Sequence, residues 1–183
     1  MQPTPTIDRL APPPTVASPT QADEGARLYW LNCQPCHGDR GQGLTDEWRA
    51  QYPEEDRNCW NAGCHGDRPY ENGFTLPASV PPLLGGDSLQ RFETFDQVYR
   101  FTRAAMPFQA PGSLNEAEYL ALVAFLARGH GVWDSPQPLD EARLIDLPVR
   151  ADPASSAAIA LGVISLIGLT TGGLWLLRRR SMR

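Results

Sequence analysis

Five consecutive residues, Cys33-Gln34-Pro35-Cys36-His37, restrict this chain more than any others. The pattern CxxCH is the attachment signature of a c-type haem. Two thiols on one helical turn reach the two vinyl groups of a single porphyrin, and the adjacent histidine is carried to the iron. The sequel Gly38-Asp39-Arg40-Gly41-Gln42-Gly43 is the glycine-rich turn expected behind such a histidine. Cys33, Cys36 and His37 are therefore the expected haem c attachment site, with His37 an axial ligand of the iron.

The rest of the chain sets the size of what can surround that group. Of 183 residues, the two ends are unlike the middle. Residues 1–20 hold six prolines and few hydrophobes, and read as a disordered leader. Residues 153–177 carry no charge at all. Segment 154–177 would make about 36 Å of helix, enough to cross a bilayer with some tilt. Four arginines follow within 178–183, so the positive-inside rule places that tail in the cytoplasm and everything before the span outside. Residues 134–153, with four prolines, read as a tether. What remains, 21–133, is enough for one small domain of about 110 residues. Residues 1–20 lack the charged-then-apolar pattern of an export signal, so a signal upstream or a processed N-terminus is expected.

Charge excludes some classes outright. All sixteen basic residues are arginine, which rules out lysine Schiff-base and phosphate-loop lysine chemistry. Residues 1–153 carry 21 acidic side chains against 12 arginines, a balance of −9. An acidic outer portion repels polyanions, so nucleic acid is not an expected partner.

Local patterns predict three helices. In 22–33, Ala22, Ala26, Tyr29 and Cys33 share a face. Thr94 with Gln97 is placed to cap a helix carrying Val98, Phe101, Thr102 and Ala105. A third has Tyr119, Leu122, Val123 and Leu126 at helical spacing. Ser113 and Asn115 are each followed three residues later by glutamate, and Gly129 stands at the end. With the CxxCH turn after the first helix, this order resembles class I cytochromes c over residues 21–131. The resemblance implies an all-α fold of three to four helices around a haem, here with a long loop insertion and a C-terminal transmembrane helix. It implies that the first and last helices cross, with Tyr29, Trp30, Tyr119 and Phe125 as contact material.

The second axial ligand is expected at Met106. Pro107 forces the residue before it into extended backbone at a helix exit, and Met106 is the only methionine between Met1 and Met182. Relatives of the resembled family place their distal methionine in such a position; His130 is the competitor. The run Pro81-Pro82-Leu83-Leu84-Gly85 resembles the family segment whose proline carbonyl accepts the Nδ1 proton of the haem histidine. Pro82, ahead of Pro81, is expected to supply it, with Leu83 and Leu84 walling the porphyrin. Arg100 and Arg103 could pair with the propionates or simply face solvent.

A second pair, Cys59 and Cys64 with His65 following, has the spacing CxxxxCH. It admits a disulfide that pins the insertion, or a second haem on His65. The short supply of iron ligands favours the disulfide. A four-cysteine zinc site fits the spacing of the pairs but not the histidine after each.

A haem held by histidine and methionine has no open position, and methionine raises its potential relative to bis-histidine. The resemblance thus implies a membrane-anchored carrier of single electrons rather than an enzyme. It is similar to mono-haem subunits of bacterial respiratory and photosynthetic chains, with redox proteins of membrane or periplasm as partners. The alternatives are a dihaem cytochrome and a small peroxidase or reductase head.

Overall fold

In the computed structural model, residues 8–151 are described. The chain divides after Val149 into a compact unit and a second unit, 150–183. The predicted span 154–177 and basic tail 178–183 lie outside the described residues. Among the described residues no helix is long and apolar enough to cross a membrane.

Among the described residues the regular elements are helices: α1 (Gln21–Asn32), α2 (Gln34–His37), α3 (Asp46–Arg49), α4 (Phe95–Ala105), α5 (Glu116–Gly129) and α6 (Glu141–Leu144), with one 3-10 turn at Glu54–Asp56. Helix α1 begins at a complete capping box. Thr20 accepts from the Asp23 amide, and the Asp23 carboxylate accepts from the Thr20 amide at 2.9 Å. Helix α5 repeats the device with Asn115 and Glu118, at 3.0 and 2.8 Å, so Asn115 and not Ser113 is the cap. Each box satisfies amides that the first turn leaves without partners.

Helices α1 and α5 cross, as the resemblance implied. The crossing is tight because Gly25 faces Ala121: a Cβ at Gly25 would lie 1.9 Å from the Ala121 carbonyl oxygen. Tyr29 and Phe125 meet beside it with ring centroids 4.9 Å apart, and Arg128 of α5 pairs with Asp23 of α1 at 2.7 Å. Trp30 is not part of the crossing. Its indole N–H donates to the Leu10 carbonyl at 2.9 Å, on the side where the N-terminal segment lies.

Both flanking segments differ from expectation. From Asp8 onward the leader is ordered against the domain. Arg9 pairs with Asp39 at 2.6 Å and with Glu47, and its carbonyl accepts from Gln34. Prolines gave no sign of this, because one arginine and two backbone carbonyls do the fastening. Likewise 134–149 is no tether. It runs back over the core, burying Leu139, Leu144 and Val149. Leu139 exchanges two hydrogen bonds with the Gln21 side chain, at 2.6 and 2.9 Å. Thr94 pairs with Pro148 in an isolated antiparallel bridge, flanked by bonds from Phe95 to Leu147 and from Val149 to Glu93. That bridge takes up the backbone just before α4. The Thr94 side chain makes no cap, and Gln97 accepts from the Glu93 amide at 2.8 Å.

Candidate functional site: a haem cavity

Cys33 ends α1 and α2 carries Cys36 and His37, with the His37 amide donating to the Cys33 carbonyl at 2.8 Å. The chain then turns through Gly38, Gly41 and Gly43, all at positive φ. At Gly43 the turn presses onto the 80–82 backbone: a Cβ there would lie 2.6 Å from the Val80 carbonyl oxygen. Leu83 and Leu84 both donate to the Gly41 carbonyl, at 2.7 and 3.1 Å. This contact brings a carbonyl to the imidazole.

That carbonyl is Pro81, not Pro82. His37 Nδ1 donates to the Pro81 oxygen at 3.0 Å. A carbonyl can only accept, so Nδ1 bears the proton and Nε2 keeps its lone pair. With two prolines in succession, sequence offers no basis for choosing between their carbonyls; the register of Leu83 on Gly41 decides it. Burial lowers the pKa of His37, against a smaller opposite effect of the Pro81 bond, which favours the neutral, ligating ring. Burial also pushes the Cys33 thiol up to about 12, helped by Cys36.

Cys33, Cys36, His37 and Met106 all line one cavity of about 290 Å³. Its walls are Pro82, Leu83, Leu89, Val98, Phe101, Leu122 and Leu126. Leu84 does not join them; it packs against Gly41 and Gly129. Met106 has extended backbone (φ −130°, ψ 150°), as Pro107 requires. Two hydrogen bonds hold it: its amide donates to Thr102, and its carbonyl accepts from the Tyr119 hydroxyl, both at 2.8 Å. His130, the competing ligand, is absent from the cavity wall. Its Nε2 lies 2.9 Å from the Leu83 carbonyl and its ring meets Phe95 edge-on.

Arg100 and Arg103 also lie away from the cavity, on Asp96 and the Tyr99 hydroxyl. The arginine that lines it is Arg91, whose guanidinium stacks 4.0 Å from the Phe101 ring centroid. Nothing in the pattern around Arg91 singled it out, since it sits in an irregular loop. Trp48 was equally unmarked: fully buried on α3, it backs the attachment turn by donating to the Pro35 carbonyl at 3.2 Å.

The second cysteine pair does not form the expected disulfide; Cys59 and Cys64 are both free thiols. The insertion closes by other means. His65 donates to the Cys59 carbonyl at 3.0 Å, Gly63 to Arg68 at 2.7 Å, and the Trp60 indole to Pro77 at 3.0 Å. Arg49 stacks on Trp60. The zinc alternative finds no group of three or more suitable side chains among the described residues.

An apolar slot carrying two adjacent thiols, an imidazole with its Nε2 free and one thioether fits a covalent haem in donor set and lining. The fold and site define a c-type cytochrome domain. The comparison with known families agrees: residues 20–126 match the family described as cytochrome c oxidase, cbb3-type, subunit III, and the chain belongs to that family. It is a cytochrome c family protein that carries haem c. No curated protein and no solved structure matches it.

Proposed function

We propose that this protein is a membrane-anchored carrier of single electrons. It would use a haem bound through Cys33 and Cys36 and ligated by His37 and Met106, and work within or beside a membrane oxidoreductase complex. The observation that carries this reading is that imidazole and thioether line one apolar cavity, the ring held by the Pro81 carbonyl and the Met106 backbone held by Thr102 and Tyr119. When bound there, the haem supplies a ferric–ferrous couple. The chain's part would be to hold the His37 imidazole and the Met106 thioether in place while charge changes. Pro81 fixes the His37 ring, Tyr119 and Thr102 fix the Met106 backbone, and Leu83, Leu122 and Leu126 exclude water. Little has to move, which suits outer-sphere transfer rather than substrate turnover.

Three features support the setting. The family is named for a subunit of a membrane oxidase. Segment 154–177 is uncharged and followed by arginines, which suits a single span with the haem domain outside the cytoplasm and the C-terminus within it. The chain has no lysine, so a partner surface of strongly acidic character is a poor match.

The test is optical and electrochemical. The ferric protein should show the methionine-to-iron charge-transfer band at the red end of the spectrum. Met106→Ala should abolish that band and lower the reduction potential, since methionine ligation raises it. A band unchanged in Met106→Ala would sink the ligand assignment.

A further inference from the structure

The insertion repeats, at a second place, two hydrogen bonds of the attachment turn, with the leading cysteine six residues before the histidine instead of four. At the first site the histidine amide donates to the carbonyl of the leading cysteine at 2.8 Å (His37 to Cys33); at the second the distance is 3.0 Å (His65 to Cys59). At the first site the ring Nδ1 donates to a loop carbonyl at 3.0 Å (Pro81); at the second, His65 Nδ1 donates to Phe74 at 3.1 Å. As before, the acceptor can only be a carbonyl lone pair, so His65 Nε2 is the basic, metal-ready nitrogen. Cys64 stands directly before His65, as Cys36 does before His37.

The surroundings are apolar and uncovered. The His65 ring lies 4.3 Å from Phe74 and 5.7 Å from Tyr70, and Phe74 in turn meets Phe108 at 5.8 Å. Tyr70 and Phe108 are 52% and 46% exposed, which is unusual for aromatic rings gathered around one imidazole in a small domain. A flat apolar group would cover them.

We propose that Cys59, Cys64 and His65 form a second covalent haem site, built into the insertion of a single cytochrome domain. Attachment is redox-neutral. Each S–H adds across one vinyl C=C, sulfur bonding to the inner carbon and the proton to the outer one, with no leaving group. This goes beyond the single-haem carrier proposed above, and the two can fail separately.

Ligand supply then gives the second haem a different character from the first. The chain has three histidines. His37 lines the first cavity and His130 is turned onto Leu83 and Phe95. Met106 lines the first cavity as well. Among the described residues no imidazole or thioether is left for the far face of a haem on His65, so that face is open to water or a small diatomic ligand. The two sites are neighbours: Phe108 both lines the first cavity and meets Phe74, which stacks on His65. Electrons could pass between the two sites without leaving the domain.

The experiment counts haems on the full chain isolated from the cells that make it, by pyridine haemochrome assay and intact mass, and then adds carbon monoxide to the reduced protein. Two haems per chain are expected, one of which binds carbon monoxide. Cys59→Ala/Cys64→Ala should fall to one haem, keep the methionine-to-iron band and lose carbon monoxide binding. One haem per wild-type chain, with Cys59 and Cys64 found as thiols or as a disulfide, overturns the proposal and leaves the carrier reading intact. So does an unchanged count in the double variant. Two haems with no carbon monoxide binding overturn the open face. A chain with no haem at all defeats the carrier reading instead.

Discussion

Tyr119 spends its hydroxyl on a backbone carbonyl rather than on water, and that carbonyl belongs to Met106. The residue is almost fully buried on α5, so the bond sets the position of Met106, the proposed sixth ligand. Tyr119→Phe keeps the ring and removes only this contact. A buried hydrogen bond of this kind is worth about 1 kcal/mol net, which in a domain of this size lowers a thermal midpoint by about 4 °C. The expected outcome is that the ferric methionine band disappears on heating at a lower temperature by about that amount, while the spectrum at room temperature is unchanged. Equal thermal loss of the band in both proteins would show that Tyr119 does not secure Met106. The hydroxyl was out of reach of periodicity arguments, which report the face a tyrosine lies on but not where its oxygen ends. The extended backbone of Met106 was readable because proline dictates the backbone of its neighbour.

At the scale of elements, two of the contacts that hold α1 against α5 can be tested one at a time. The first is the Gly25 crossing. Gly25→Ala drives a methyl into the Ala121 carbonyl, and overpacking of this kind costs about 1–3 kcal/mol. A Cβ at Gly86 meets nothing within 4 Å, so Gly86→Ala should unfold at the wild-type denaturant midpoint and serves as the control. Equal midpoints for the two variants would refute the close crossing. The second contact is Asp23, which serves the α1 cap and Arg128 together. The Arg128 bond, with those of Thr20, lowers its carboxyl from 3.8 to about 2. A depressed carboxyl stabilises fully above its ordinary value and loses that contribution as protons bind the folded state. Stability from Asp23 should thus be complete above pH 3.8 and fade as pH falls toward about 2. Asp23→Asn should cost about 1 kcal/mol at neutral pH and flatten the acid limb of urea midpoints in that window. Both helices were legible from local signals, α1 from its spacing and α5 from its spacing and its cap. The cross-helix partner of Asp23 was not, since a pairing across more than a hundred residues leaves no local trace.

For the molecule as a whole, the segment after α5 decides how large the folded unit is. Four prolines in 134–153 argue for an extended linker on composition alone, and the five large hydrophobes spaced irregularly among them, Leu139, Leu144, Ile145, Leu147 and Val149, carry no periodicity to say otherwise. The burial of Leu139, Leu144 and Val149 comes from a different source. The strap lies along the ends of α1 and α4, where Gln21 offers both side-chain atoms to Leu139 and the Glu93–Phe95 backbone pairs with Leu147 and Val149. The Tyr99 hydroxyl adds a bond to Glu141 at 2.9 Å. Prolines suit such a path, because an extended segment that makes few backbone bonds loses little by lacking N–H groups. The strap also fixes the start of α4, whose other end presents Met106, so it bears on the site from a distance. Leu144 is fully buried on α6, and Leu144→Ala leaves a cavity worth about 2–5 kcal/mol. A tether residue changed in the same way would cost nothing measurable. Chemical denaturation of the full chain, followed through the haem absorbance, should therefore show a clear drop in midpoint for Leu144→Ala. A midpoint within error of wild type would return 134–149 to the status of a linker.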